Sequence, residues 1–324
     1  MAMSSPRGAF FIALATNLFM VRMMYQQILD TIGGTPLIEV NPSFKGAKIL
    51  AKLEALNPGG SVKDRMALYM VAAAEKRGQL CLGMTIIEAT TGNTGVAFAM
   101  IAAVKKYHMI AVMPENMSLE RQHLLKAFGA RVVLTPQKNG PQGAIDKRDE
   151  LARKAAAAWV PGQFENMDNI IAHERSTGLE ILKQTGGKID FFVAGVGTGG
   201  TLIGVGKVLK KVVPGIKIVA VEPKESAVLS GGKPGRHNIQ GIGEGFIPKL
   251  VDQGLIDMVE KVDTQQAVAA AKRLARDQGI LVGISSGANF VASSRIARKL
   301  SRDKTVVTIF ADRGERYFSE HVFD

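Results

Sequence analysis

Structural sulfur chemistry is excluded first. The 324 residues contain one cysteine, Cys81, so no internal disulfide can form, and a lone thiol suits a reducing, cytoplasmic setting. Cys81 has no Cys or His at metal-ligand spacing. The five histidines, His108, His123, His173, His237 and His321, are isolated from one another, which argues against a zinc site. Aromatic residues are only 6% of the chain, and no basic stripe interleaves with them, so the net charge of +12 does not read as a nucleic-acid surface. The densest basic stretches, 147–154, 207–211 and 295–304, are mixed with apolar residues at helical spacing and read as solvated helix faces; the positive charge favours anionic ligands. Long apolar runs are lacking too. The stretch 9–15 is broken by Thr16 and Asn17, too short for a membrane span and without the shape of a signal peptide. Residues 1–24 are therefore expected to be a poorly structured extension, with Met23 and Met24 as alternative starts. There is no solenoid-type repeat.

What remains is an ordinary globular composition, 46% apolar and 22% charged, with enough chain for two modest domains. Short apolar runs at 49–53, 85–89, 109–113, 131–135, 191–194, 216–221, 280–283 and 306–310 predict strands. Segments rich in Ala, Leu, Lys and Glu at 63–77, 95–106, 119–128, 141–158, 201–212 and 265–277 predict helices between them. This alternation predicts an α/β fold with parallel sheets covered on both faces. About eight strands suggest two sheets, and Pro, Gly and Asn interrupt the pattern over 159–169. The expected division is an N-terminal α/β domain over 25–167, whose first strands can cross to the other unit, and a C-terminal one over 168–324. A long stretch without period, 222–248, reads as a functional loop.

Four segments carry chemistry. In Asn57-Pro58-Gly59-Gly60-Ser61-Val62-Lys63-Asp64-Arg65, a turn leads through a Ser cap into a helix and puts Lys63 in its first turn. A buried lysine can hold an aldehyde cofactor as a Schiff base, although this segment alone reads better as a surface lysine beside Asp64 and Arg65. In Glu88-Ala89-Thr90-Thr91-Gly92-Asn93-Thr94-Gly95, a strand ends in a hydroxyl-rich turn that opens a helix. This suits a carboxylate of amino-acid size, and it holds more hydroxyls than a simple cap needs.

The third segment, Gly195-Val196-Gly197-Thr198-Gly199-Gly200-Thr201, can cradle a phosphate through its main-chain N–H groups. It also matches G-x-G-x-x-G, with Glu222 about 20 residues on, so a nicotinamide-dependent oxidoreductase is the main rival reading. Against that rival, the alternation starts well before this loop. In the fourth segment, Gly283-Ile284-Ser285-Ser286-Gly287-Ala288, a serine hydroxyl can face a ring nitrogen, or merely cap a helix.

Together the four segments resemble the cysteine synthase (O-acetylserine sulfhydrylase) family of fold-type II pyridoxal-phosphate enzymes. The likeness runs from about Gln27 to Phe323 and includes Gly33-Gly34-Thr35-Pro36-Leu37 and Gly314-Glu315-Arg316-Tyr317. It implies two open, twisted, mostly parallel sheets with pyridoxal 5'-phosphate in the cleft between them. Lys63 is similar to the Schiff-base lysine and Asn93 to the donor to the cofactor's phenolic oxygen. Gly197, Thr198, Gly199, Gly200 and Thr201 resemble the phosphate cradle, and Ser285 the partner of the pyridine nitrogen. Thr90, Thr91, Gly92, Asn93 and Thr94 with Gln163 resemble the seat of the substrate carboxylate; at Thr91 many relatives carry Ser. Gly241 resembles the cleft rim where a serine acetyltransferase C-terminal tail binds.

The resemblance implies a cysteine synthase acting by β-replacement on O-acetyl-L-serine with sulfide, in a homodimer. The segment 240–248 resembles A-type members and 310–314 leans to the B type, which leaves O-phosphoserine as donor, and thiosulfate beside sulfide, as alternatives. Cystathionine β-synthase is a near cousin but normally carries further regulatory sequence, and dehydratases of this fold set their lysine in a different context. A non-catalytic binding protein on the same fold is the remaining rival, disfavoured because Lys63 and the ligand positions are all present.

Overall fold

A computed structural model describes residues 25–42, 44–90 and 92–324; the extension 1–24, with Met23 and Met24, lies outside the described residues, as does Thr91. Ten strands among the described residues fall into two sheets. The smaller has the order β5-β4-β3-β6 and is wholly parallel, from β3 (Thr85–Ala89), β4 (His108–Pro114), β5 (Arg131–Thr135) and β6 (Ala158–Trp159). The larger has the order β1-β2-β10-β7-β8-β9, from β1 (Leu37–Glu39), β2 (Lys48–Leu53), β7 (Phe191–Gly195), β8 (Lys217–Pro223), β9 (Met258–Val262) and β10 (Thr305–Phe310). Only the β1–β2 pair in it is antiparallel. Strands 37–53 thus pair with the sheet built from the second half of the chain.

The helices are α1 (Lys63–Lys76), α2 (Asn93–Lys105), α3 (Leu119–Ala127), α4 (Gly140–Lys154), α5 (Asp168–Arg175), α6 (Thr177–Thr185), α7 (Gly200–Val212), α8 (Thr264–Gln278) and α9 (Ile284–Ala297). Helices on both faces explain why central strands read as continuous apolar runs: β10, Thr-Val-Val-Thr-Ile-Phe, is buried at every position. α2 is buried from Thr94 to Ala102 and forms the spine of the smaller unit's core. α8 has the opposite character. Its buried residues are Ala267, Ala270, Ala271 and Leu274, one face of the helix, and the Asp263 side chain caps it by accepting the Gln266 N–H at 2.8 Å.

Sequence and structure differ in places that have physical reasons. The strand expected at 280–283 is a single bridge, Val282 to Arg313, because α9 begins at Ile284 and leaves no room for a ladder. The helix expected to run to 158 stops at Lys154: Ala155 turns extended, and Ala158–Trp159 joins β3 as an edge strand. Sheet pairing there overrides the helical preference of four successive alanines. β1 and β6 have too few residues to show a period, and β9 carries Glu260 and Lys261 where a buried strand would be apolar; all three are edge strands. α5 and α6, of 8 and 9 residues, come at and after the end of the interrupted stretch 159–169 and have no counterpart among the expected helices.

Strand order reverses direction between β3 and β6 in one sheet and between β7 and β10 in the other. In open parallel sheets, ligands bind beyond the carboxyl ends at such switch points. Those ends carry the turn at 90–94, the loop at 195–201 and the segment at 311–313.

A buried ionic network fixes the approach to α1. Arg65 Nε meets Glu54 Oε2 at 2.6 Å and its Nη1 meets Glu180 Oε1 at 2.7 Å, while Lys52 Nζ meets Glu180 Oε2 at 2.6 Å. Thr35 Oγ1 donates to Glu54 Oε1 at 2.6 Å and Gly34 N to Glu180 Oε1 at 2.9 Å, so the Gly-Gly-Thr-Pro segment is anchored to α6. Arg65→Met strips the main cation from a wholly buried carboxylate, and a loss of about 3–5 kcal/mol is expected. Urea denaturation measures it; an unchanged midpoint would contradict the network's role.

Candidate active site

The site is built from helix N-termini. Lys63 opens α1, Asn93 opens α2, Thr198, Gly199 and Thr201 flank the start of α7, and Ser285 lies in the first turn of α9; all line one narrow pocket. Four positive helix ends converging there favour an anion. The pocket opens into a wider cavity of ≈ 650 Å³, which Lys63, Asn93, Thr198 and Gly241 also line.

Lys63 sits at the junction of the two. Ser61 Oγ accepts the Lys63 N–H at 3.2 Å, so the serine stabilises the first turn although Val62 is the formal cap. The surface-lysine reading fails here, because the side chain faces the cavities. Desolvation lowers its pKa, and Glu244 and Asp312 oppose that shift. Among the described residues, no hydrogen bond or ion pair engages the amine.

The glycines of 195–201 leave no space for side chains. Gly199 has φ +89, and a Cβ there would come within 2.6 Å of Val251 Cγ2. A Cβ at Gly197 would strike the Gly241 carbonyl, and one at Gly200 the Asn169 carboxamide. Gly200 itself does not line the pocket but packs beneath it. Asn169 Nδ2 donates to Thr198 Oγ1 at 3.0 Å and to Gln163 O at 2.9 Å, tying the cradle to the wider cavity. Thr201 Oγ1 lies 3.2 Å from His173 Nε2, whose other ring nitrogen meets Thr177 Oγ1 at 2.9 Å. Burial, with Arg65 and Lys63 adding to it, holds His173 well below its ordinary pKa and hence neutral.

The turn at 90–94 divides its roles. Thr90 Oγ1 accepts the N–H groups of Gly92 at 3.2 Å and Gly95 at 3.0 Å, so it shapes the turn. Thr94 Oγ1 donates to Gln163 Oε1 at 2.8 Å. Thr90, Gly92, Asn93, Thr94, Gln163 and Gly241 all line the wider cavity. The acid required by the dinucleotide reading is taken up elsewhere: Glu222 is buried, and its oxygens accept from Leu229 N at 2.8 Å and from Ser230 N and Oγ at 3.1 and 2.5 Å. Sequence reasoning did not single out Arg121, Glu244, Asp312 or Tyr317, which the fold brings to the cleft.

Glu88, the one acid in an otherwise apolar strand end, is buried in the wall of the wider cavity. Burial pushes its pKa up from 4.5 to about 7, against the pull of Arg148, the Gly162 N–H and the Gln163 side chain. Folding therefore disfavours its ionised form. The penalty is absent below about pH 4.5, where both states are protonated, and grows as pH rises to about 7. It amounts to about 3 kcal/mol at alkaline pH. Glu88→Gln is expected to raise Tm at pH 8 and leave it nearly unchanged at pH 4; an equal change at both would contradict this.

The arrangement fits the cofactor implied by the resemblance: a glycine loop packed too closely to admit any Cβ, a desolvated amine, and a buried Ser285 hydroxyl in one pocket. Comparison with known proteins agrees. The family described as "Pyridoxal-phosphate dependent enzyme" matches residues 28–312. A cysteine synthase from Staphylococcus aureus is 48% identical over 307 residues, covering 94% of this chain and 99% of its own. The solved cysteine synthase from Entamoeba histolytica is 42% identical with a TM-score of 0.90, covering 100% of this chain and 94% of that one. A solved O-ureido-L-serine synthase is 40% identical with a TM-score of 0.90, covering 93% of this chain and 96% of that one. The α/β architecture is the one expected, and the nicotinamide reading is set aside.

Proposed function

This chain belongs to the pyridoxal-phosphate dependent enzymes, and from that premise we propose that its cleft carries out cysteine synthesis, the replacement of the acetoxy group of O-acetyl-L-serine by sulfide to give L-cysteine and acetate. The observation that carries the reading is the Lys63 amine, enclosed where the glycine cradle meets the turn at 90–94. When bound, pyridoxal phosphate supplies the electron sink that lets the α-proton and the β-substituent leave. The loop 197–201 would hold its phosphate, Lys63 its aldehyde carbon, Asn93 its ring oxygen and Ser285 its ring nitrogen; a neutral hydroxyl suits an unprotonated nitrogen.

The chain's own groups do the rest. The first N–H groups of α2 and the Gln163 carboxamide receive the substrate carboxylate beside Lys63. Lys63 Nζ, its pKa lowered by desolvation, takes the α-proton as a neutral amine. Water exclusion falls to the mouth, where Phe164 and Phe246 meet with ring centroids 5.5 Å apart and Lys249 pairs with Glu165 at 2.7 Å. Turnover with sulfide is expected to be faster from O-acetyl-L-serine than from O-phospho-L-serine, read as cysteine formed. A preference for the phosphorylated donor would reassign the substrate.

The same reading extends to partners. A homodimer is proposed from the family resemblance, to be checked by sedimentation. The rim at Gly241, Phe246, Ile247 and Lys249 mixes apolar and cationic groups suited to a peptide's terminal carboxylate, such as a serine acetyltransferase tail. The exposed free thiol of Cys81 supports a cytoplasmic, reducing location.

A further inference from the structure

Asn93 is held at both ends of its carboxamide. Its Nδ2 donates to Asp312 Oδ2 at 2.7 Å, and its Oδ1 accepts from Arg316 Nη1. A carboxylate only accepts and a guanidinium only donates, so the amide has one orientation and cannot flip. One N–H of Asn93 is fixed on Asp312, and the second is left for the pocket that both residues line.

Asp312 is itself over-determined. Its Oδ2 also accepts the Tyr317 hydroxyl at 2.7 Å. Its carbonyl accepts the Gly283 N–H at 3.1 Å, and it bridges to Ser61, two residues before Lys63. A Cβ on Gly283 would run into its Oδ1 and come within 2.7 Å of the Tyr317 ring. That Oδ1 is buried and has no partner among the described residues. An orphaned carboxylate oxygen on a residue that lines the same pocket as Lys63 needs a reason, because leaving such an oxygen unpaired is costly.

Resting on the cofactor reading above, we propose that Asp312 is a positioning residue. It turns the free Asn93 N–H toward the cofactor's ring oxygen, and it places a carboxylate in the pocket that Lys63 lines. Other charged and titratable groups surround the pair. Glu244 of the long loop faces Lys63, Arg316 and Tyr317 of the last 3-10 turn face Asp312, Arg121 of α3 stacks on Tyr317, and His173 of α5 is near enough to Lys63 to feel its charge. Burial and Asp312 keep the Tyr317 hydroxyl well above its ordinary pKa, so it stays a donor. Of the two acids facing Lys63, Asp312 alone also binds Asn93.

The test uses holoenzyme of wild type, D312N, N93A and the double variant. The visible absorbance is titrated with pH, and kcat/KM is measured alongside. In D312N the pH at which half of the visible band is lost is expected to move down by about one unit, because an opposite charge near the nitrogen has gone. Each single variant is expected to lose about tenfold in kcat/KM, and the double variant to be little worse than the poorer single, since the two residues act as one unit. A D312N band lost at the wild-type pH, or losses that multiply in the double variant, would overturn the inference. Asp312→Ser carries the same test if D312N does not fold. A wild type without visible absorbance would instead overturn the cofactor reading, so the two failures are distinguishable.

Discussion

Lys63→Ala is expected to lower cysteine formation by about 10³-fold or more and to remove the visible absorbance of the holoenzyme. The size follows from two losses at one atom. The cofactor loses its covalent anchor, and the α-proton loses its acceptor, a role worth about 10²–10⁴ by itself. The fold should not suffer. Among the described residues the amine makes no hydrogen bond, and its burial disfavours the charged form, so the variant's Tm is expected to match or slightly exceed that of the wild type. Absorbance, turnover and melting together distinguish loss of chemistry from loss of structure. Wild-type turnover in Lys63→Ala would remove Lys63 from the reaction.

The second large effect concerns the cradle. Gly199→Ala places a Cβ on a residue with φ +89 and against Val251, and Gly197→Ala drives one into the Gly241 carbonyl. Strain of about 1–3 kcal/mol per site is expected. At 1.4 kcal/mol per tenfold, cofactor affinity should fall roughly 10- to 100-fold. Reconstitution of the apo chain with pyridoxal phosphate, followed by absorbance, gives the dissociation constant directly. Gly215→Ala is the control: its φ is +79, but a Cβ there meets nothing within 4 Å, so it should cost stability and leave cofactor affinity untouched. Equal affinity losses in all three variants would mean that the glycines act through global stability.

Much of this was legible because the chemistry sits where the chain changes period. Strands such as β3 and β7 are apolar runs followed at once by polar or glycine turns, and the turns open helices. That pattern points to anion-binding ends of parallel sheets without any knowledge of the third dimension. The same local view could not separate a phosphate cradle from a dinucleotide loop. Glu222 stands at the right spacing, and only its three bonds within its own loop remove it. Residues that act at a distance were the least visible. Asp312 reaches Asn93 across 219 positions and Arg65 reaches Glu180 across 115, and no periodicity links such pairs. Glu88 reads in sequence only as the end of a strand, yet the fold buries it, which raises its pKa against the opposing pull of Arg148 and the turn at 162–163. The strands β1 and β6 are too short to show a pattern, and in β9 Glu260 and Lys261 interrupt it.

The most direct measurement is chemical. Borohydride reduction of the yellow holoenzyme, followed by proteolysis and mass spectrometry, is expected to leave one pyridoxyl-phosphate label, on the ε-nitrogen of the peptide that carries Lys63. A label on Lys52 or any other lysine, or none at all, would contradict the account.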